Sequence, residues 1–307
     1  KMVPLIFAIF FVLFFRCIRP LILVRWGPLP SRRLGHLAAS VELFLAKKRL
    51  RKRTFNRPTI DIFWLEKPVA NWALIRIWRR HIILWPKSIA KLIYETNRRL
   101  GGSKAHELTR SIDNGRDSGN ILARVPPMIT FRNSDHRLGR EKMEALGVPH
   151  NSRFVCIIAR DSQYLKSHMP GGDWTYHNYR DADIDNFSLA IEALVKRGYF
   201  VIRMGRVVEK SVSVKHPMVI DYAMSEFQND FLDIYLASKC VFTISTGTGW
   251  DAVPDIFRKP IVYVNQAPFV LFNTTNHRYI SITKHHHSKE KDAFLSIREV
   301  TAMGLHQ

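Results

Sequence analysis

Residues 239–265 read KCVFTISTGTGWDAVPDIFRKPIVYVN, and the organisation of the chain turns on them. Cys240-Val241-Phe242-Thr243-Ile244 opens the stretch with apolar and β-branched side chains, a run short enough for a buried strand. Ile261-Val262-Tyr263-Val264 closes it in the same way. Between them lie Ser245-Thr246-Gly247-Thr248-Gly249, a helical pattern over 250–257, and Arg258-Lys259-Pro260. This is one strand, loop, helix, strand unit of a parallel sheet. Two glycines and small hydroxyl residues let backbone N–H groups approach a ligand closely, and a helix N-terminus behind them carries roughly half a positive charge. Such a turn suits phosphate; the plainer alternative is that Gly247 and Gly249 only close a tight turn.

The chain of 307 residues is too long for one ordinary core and suits two α/β domains, and 46% apolar residues exclude a disordered chain. Lys+Arg 47 against Asp+Glu 26 gives a formal charge of +21, which calls for an anionic partner: nucleic acid, an acidic membrane or a phosphorylated substrate. Nucleic acid is disfavoured because no helix-turn-helix, RNP-like or zinc motif accompanies the charge. Cys17, Cys156 and Cys240 lie in apolar surroundings without paired spacing. They indicate neither a disulfide framework nor a zinc site, and a reducing, cytoplasmic compartment is expected.

Residues 3–15, VPLIFAIFFVLFF, carry no charge yet fall short of the ~20 residues of a full span. No small-residue cleavage site follows, which argues against a cleaved signal peptide. Residues 1–20 are expected to form a short or tilted anchor or a helix lying in the membrane interface, the alternative being a buried core helix. The basic residues that follow favour a catalytic body on the cytoplasmic face.

Residues 21–24 suggest a first strand, followed by a loop over 25–36 that holds Ser31, Arg32, Arg33 and His36, and then by a helix. Open α/β sheets keep their ligands at the carboxyl ends of strands, so this loop is a candidate site and His36 a candidate base. Residues 59–65 read as the next strand. Residues 72–100 form a long amphipathic stretch in which Trp72, Trp78 and Trp85 alternate with basic side chains. It suits either a bilayer headgroup layer or a core helix with a solvated basic face. A short helix over 139–146, stopped by Gly147-Val148-Pro149, precedes a domain boundary near Pro149.

In the second half, residues 154–159, 200–205 and 218–222 read as strands alternating with helices, the pattern of a doubly wound parallel sheet. Its strand ends bring Arg160, Arg180, Arg203, Gly205, Asp221 and the 245–249 turn to one edge, where several cations can neutralise a diphosphate. Asp251 is placed to hold ribose or sugar hydroxyls or to cap its own helix. Asp181-Ala182-Asp183 matches a metal-holding D-x-D pattern, but acidic residues at a helix start are read first as caps, and no metal is expected. Residues 274–277 and 285–291, with their histidine run, read as exposed loop.

Gly27-Pro28-Leu29-Pro30-Ser31-Arg32-Arg33-Leu34-Gly35-His36-Leu37, Tyr179-Arg180-Asp181-Ala182-Asp183-Ile184, Phe231-Leu232-Asp233 and Ser245-Thr246-Gly247-Thr248-Gly249-Trp250-Asp251-Ala252-Val253-Pro254 together resemble a bacterial family of glycosyltransferases encoded in surface-polysaccharide loci. The final unit also resembles the donor half of GT-B enzymes. The resemblance implies a GT-B-like α/β fold of two Rossmann-like, doubly wound domains facing a cleft: an acceptor side over 21–149 and a nucleotide-sugar side over 150–307. It implies transfer from a nucleotide-sugar donor, with no cofactor, to a glycan. The apolar leader and basic first half favour a lipid-linked or surface-polysaccharide acceptor at an anionic inner membrane. The rivals are a nucleotide-sugar epimerase on the same scaffold and a non-catalytic membrane- or glycan-binding protein.

Overall fold

The computed structural model describes residues 2–51, 58–108, 115–168, 171–269, 272 and 276–304. It divides into two units, Lys1–Phe131 and Arg132–Gln307.

The first unit is built on parallel strands β1 (Leu23–Leu29), β2 (Thr59–Leu65) and β3 (Ile83–Leu84), in the order β1-β2-β3. The register sets Leu23 opposite Thr59 and Leu29 opposite Leu65. β1 therefore runs on through Arg25-Trp26-Gly27-Pro28, where the sequence pattern predicts a loop. Val24, Trp26 and Leu29 are buried along it, and their burial holds the strand extended past the point where its apolar run breaks. On its other flank, Leu108 donates its N–H to Trp26 O at 2.9 Å. A Cβ at Gly27 would lie 2.6 Å from Leu108 Cβ, so this close approach requires glycine.

The helices of this unit are α1 (Met2–Cys17), α2 (Leu34–Arg51), α3 (Trp72–Trp78) and α4 (Lys87–Arg98). The expected amphipathic stretch over 72–100 is thus two helices with β3 between them. Asn71 caps α3 by accepting the Leu74 N–H at 2.7 Å, and Pro86 starts α4. One face of α1 supplies Ala8 and Val12 to a core that includes Val24, Trp26, Ile62, Trp64, Ile93 and Tyr94. Arg16 fixes the helix end by donating from Nη2 to Asn97 Oδ1 at 2.8 Å. The other face leaves Ile6, Phe7, Phe10, Leu13 and Phe14 exposed. Among the described residues, no helix is long and apolar enough to cross a membrane.

The second unit is a six-stranded parallel sheet of β4 (Phe154–Ile158), β5 (Phe200–Arg203), β6 (Val219–Ile220), β7 (Thr243–Ser245), β8 (Ile261–Gln266) and β9 (Tyr279–Thr283). The strand order is β6-β5-β4-β7-β8-β9. The chain winds outward from β4 in one direction and then, from β7, in the other. The order reverses between β4 and β7, which opens a crevice at their carboxyl ends. β4 is buried at every position, as a central strand covered on both faces must be.

The helices here are α5 (Asn133–Ala145), α6 (Gln163–His168), α7 (Ser188–Lys196), α8 (Asp230–Lys239), α9 (Ala252–Ile256) and α10 (Ile297–Ala302). A Cβ on Gly139 of α5 would lie 2.2 Å from the Tyr235 ring of α8, so glycine lets the two helices meet. That contact puts α5 in the second unit, and the division falls ahead of α5 and not at the Pro149 turn that ends it. The helix expected over 250–257 is a single 3-10 turn, Gly249–Asp251, followed by the short α9. The histidine run is not simple loop: β10 (His286–Ser288) pairs antiparallel with β11 (Ala293–Leu295). Residues 274 and 275 lie outside the described residues.

Candidate functional site

The crevice of the second unit is framed by the chain leaving β4 and the chain leaving β7. The two are stitched together where they part: the Arg160 N–H donates to Thr246 Oγ1 at 2.8 Å, and the Thr246 N–H donates to Ile158 O at 3.3 Å. Thr246 is buried by these bonds. A small β-branched residue with a hydroxyl serves both strands here, because a larger side chain would fill the switch point.

The turn itself is internally bonded. Asp251 is buried, with Oδ1 accepting from Ser245 Oγ at 2.6 Å and from Thr248 Oγ1 at 3.1 Å, and Oδ2 accepting the Thr248 N–H at 2.6 Å. Gly247 N–H donates to Ser245 Oγ at 3.1 Å and Trp250 N–H to Thr248 Oγ1 at 3.2 Å. Asp251 is therefore the cap and brace of the loop, the second of the two roles expected of it. The same bonds correct the expected array of free amides. The N–H groups of Thr246, Gly247, Thr248 and Trp250 are spoken for, and Gly249, exposed at the tip, keeps the one amide of the turn that has no acceptor among the described residues. Gly247 holds φ +86°, a left-handed conformation that glycine adopts without strain.

Positive charge is what the site does gather. Arg180 donates from Nη2 to Gly247 O at 3.1 Å, which draws the 175–180 segment against the turn. Arg160 Nη1 meets Asp181 Oδ1 at 2.6 Å. Lys284, just beyond β9, donates from Nζ to Tyr179 O at 2.8 Å and to Asp181 O at 2.7 Å. The three cations influence one another. Burial lowers the pKa of Arg160 and of Lys284, Asp181 opposes that in both, and further cations (Arg180 near Arg160, Arg160 near Lys284) add to the lowering. The Asp181 carboxyl is pushed up by burial, against the pull of Arg160 and Lys284. Lys284 escaped the sequence reading because the apolar signal fades after Phe269, and only the pairing of β9 with β8 brings it back to this edge.

Arg203 and Asp221 do not join the cluster. Arg203 is 2% exposed, with Nη1 on Asp221 Oδ1 at 3.2 Å, while Asp221 Oδ2 accepts the Val212 N–H at 2.8 Å. Buried Arg203 and half-buried Asp221 form a pair that ties the 205–212 segment to the sheet. That is a structural role, because a buried charge without its partner is costly. Gly205 lies nearby at φ +156°, where a Cβ would sit 2.6 Å from Val208. Its carbonyl accepts from Gln228 Nε2 at 2.6 Å. Asp183 caps the 3-10 turn Ile184–Phe187 through Asp185 N and pairs with Lys210, so it stands apart from Asp181 in function.

In the first unit, Arg32, Arg33 and His36 cluster where β1 hands over to α2, with both arginines exposed and His36 half-buried. Burial, and then the Arg33 charge, hold the imidazole pKa below its usual 6.5. Ser31, expected on the acceptor side, clamps two loops together. It is wholly buried, its Oγ donating to Glu66 O at 2.6 Å and accepting from Glu66 N at 2.9 Å, which joins the loops after β1 and β2.

The chain resembles two solved glycosyltransferases in fold. One is a family 9 glycosyl transferase from Veillonella parvula, with 11% identity, a TM-score of 0.52, and coverage of 85% of this chain and 86% of that one. The other is the ADP-heptose lps heptosyltransferase II of E. coli, with 12% identity, a TM-score of 0.50, and coverage of 88% and 92%. No family model matches the chain, and no curated protein matches it in sequence. At such identity the likeness speaks for the α/β fold with its parallel sheets.

Proposed function

We propose that the protein is a glycosyltransferase that moves a sugar from a nucleotide-sugar donor to a lipid-linked or surface-polysaccharide acceptor at the cytoplasmic face of the inner membrane. The observation that carries this reading is the cluster of Arg160, Arg180 and Lys284 at the switch point of a classically ordered parallel sheet. Ligands of such sheets bind at that crevice. A departing nucleoside diphosphate needs positive charge already in position, and three cations with the free Gly249 amide supply it. The fold likeness to enzymes that use activated sugars, one of them named for ADP-heptose, points the same way.

In this mechanism Arg160 and Lys284 neutralise the diphosphate, and Arg180 holds the turn while facing it. Ser245, Thr248 and Asp251 keep the turn rigid, so the donor pocket pays no reorganisation as charge develops. His36, neutral at pH 7 because of its lowered pKa, accepts the proton of the acceptor hydroxyl, with Arg32 and Arg33 attracting an acidic acceptor. The exposed aromatic face of α1 and the net charge of +21 support attachment to an anionic membrane.

The test is release of nucleoside diphosphate from a panel of nucleotide sugars with a membrane lipid extract as acceptor source. Release that requires the extract and persists in chelator is expected. Conversion of donor to an isomeric nucleotide sugar without acceptor would make the protein an epimerase. Neither reaction with any donor would remove the enzymatic reading.

A further inference from the structure

The second unit also holds a pocket at the opposite strand edge, where β4 enters the sheet at Phe154. It lies between α5 and α8 and has a volume of about 550 Å³, within the range of small-molecule sites of roughly 300–1,000 Å³. The switch-point cluster is at the carboxyl ends of the same strands, so the two places are distinct.

The lining carries two side-chain cations, Arg140 and Lys239, against one carboxylate, Glu144, and the imidazoles of His136 and His150 stand beside them. The Lys239 ammonium rides over the Tyr235 ring at 5.6 Å, and that ring is held in turn by stacking on Phe231 at 5.5 Å. Tyr235 OH donates to His136 O at 3.3 Å, which fixes α5 to α8 beside the pocket. Neither Arg140 nor Lys239 makes an ion pair among the described residues. Burial first, and then the charges of Lys259 and Arg140, lower the Lys239 pKa, and burial, Lys239 and Arg140 lower that of His136. Cations gathered against their own repulsion in a concave site form a field that a bound anion would relieve. Beside them Met143, Val148 and Pro149 offer an apolar wall.

We propose that this pocket is a second binding site, for a phosphorylated organic molecule whose phosphate lies between Arg140 and Lys239 and whose apolar part lies along Met143, Val148 and Pro149. A bare phosphate would leave most of the volume unfilled. The site does not depend on the glycosyltransferase reading, and its phosphate has two sources, a soluble ester or a lipid headgroup.

Phenyl phosphate titrated calorimetrically into the full chain tests the first source, and short-chain dihexanoyl phosphatidylglycerol titrated as dissolved monomers, with no vesicle for α1 to bind, tests the second. Both are compared between the unsubstituted chain, an Arg140→Gln/Lys239→Gln variant and an Arg160→Gln variant. Arg140 and Lys239 are exposed, so their replacement should leave the melting temperature in place. Loss of two charge-assisted contacts should weaken binding at least about tenfold in the double variant, whereas Arg160→Gln should remove only ester held at the switch-point cluster. If ester binding falls, the ligand is a soluble phosphate; if only phosphatidylglycerol binding falls, it is a headgroup. Unchanged binding of both probes, or ester binding lost in Arg160→Gln alone, would overturn the site.

Discussion

Three carboxylates separate what a residue can do from where it stands. Asp251 closes the turn after β7, Asp233 lies in α8 and Asp181 follows the 3-10 turn over 175–180, and of the three only Asp181 pairs with a cation of the crevice. Asp251 and Asp233 are buried, which pushes both pKa values up to about 6. Asp233 sits under the Tyr222 hydroxyl, which donates to Oδ1 at 2.9 Å. Between the unfolded value near 4 and the folded value near 6, the native state binds more protons than the unfolded chain. Their contribution to stability is therefore full at low pH, declines as pH rises through about 6, and is absent above it. Each is worth on the order of 2–3 kcal/mol across that window. Urea melts at pH 4.5 and 7.5 should show Asp233→Asn losing this part of the pH dependence; an unchanged slope would contradict the assignment. His36 makes the opposite kind of prediction. Replacement by Ala should lower kcat about 100-fold or more with donor KM little changed, and in the parent enzyme kcat should fall as pH drops through the lowered imidazole pKa. A His36→Ala enzyme with normal turnover would remove it as base.

At the scale of elements, legibility followed burial. β4 and the start of β8 are readable because central strands are continuous apolar runs, whereas β7 is only Thr243–Ser245 although the apolar run predicts a strand over 240–244. β1 was cut short in the reading because Arg25, Gly27 and Pro28 break the run, although Arg25 pairs with Asp61 at 2.7 Å across the neighbouring strand. β9 was missed because Ile280 and Ile282 alternate with Tyr279, Ser281 and Thr283 on an edge strand with no long apolar signal. The site suffered in the same way: the turn after β7 was found from its composition, but the direction of its amides depends on side chains six residues or fewer away and on Asp251 turning inward. Thr246→Val should keep the shape of the switch point and lose the acceptor for Arg160 N–H, costing about 1–3 kcal/mol of stability by chemical denaturation. For α1, the docked face is marked by Ala8 and Val12 in a sequence apolar all round, which leaves no periodicity to read. A Phe7→Glu/Phe10→Glu variant, altered only on the exposed face, should lose vesicle binding while its melting temperature holds. Vesicle binding equal to the parent would separate α1 from membrane attachment.

Over the whole molecule, two parallel-sheet units carry a large excess of positive charge. The reading as a sugar transferase rests on the claim that Arg160, Arg180 and Lys284 hold the diphosphate of an activated sugar at the β4–β7 crevice. Thermal denaturation of the full chain against nucleoside diphosphates and their sugars, ADP-heptose included, tests that claim most directly, since a ligand that binds only the native form must raise the melting temperature. The account predicts that at least one nucleotide sugar stabilises the parent chain, and that Arg160→Gln, Arg180→Gln and Lys284→Gln each remove most of the shift. No stabilisation by any of them, or a shift that persists in all three variants, would contradict it.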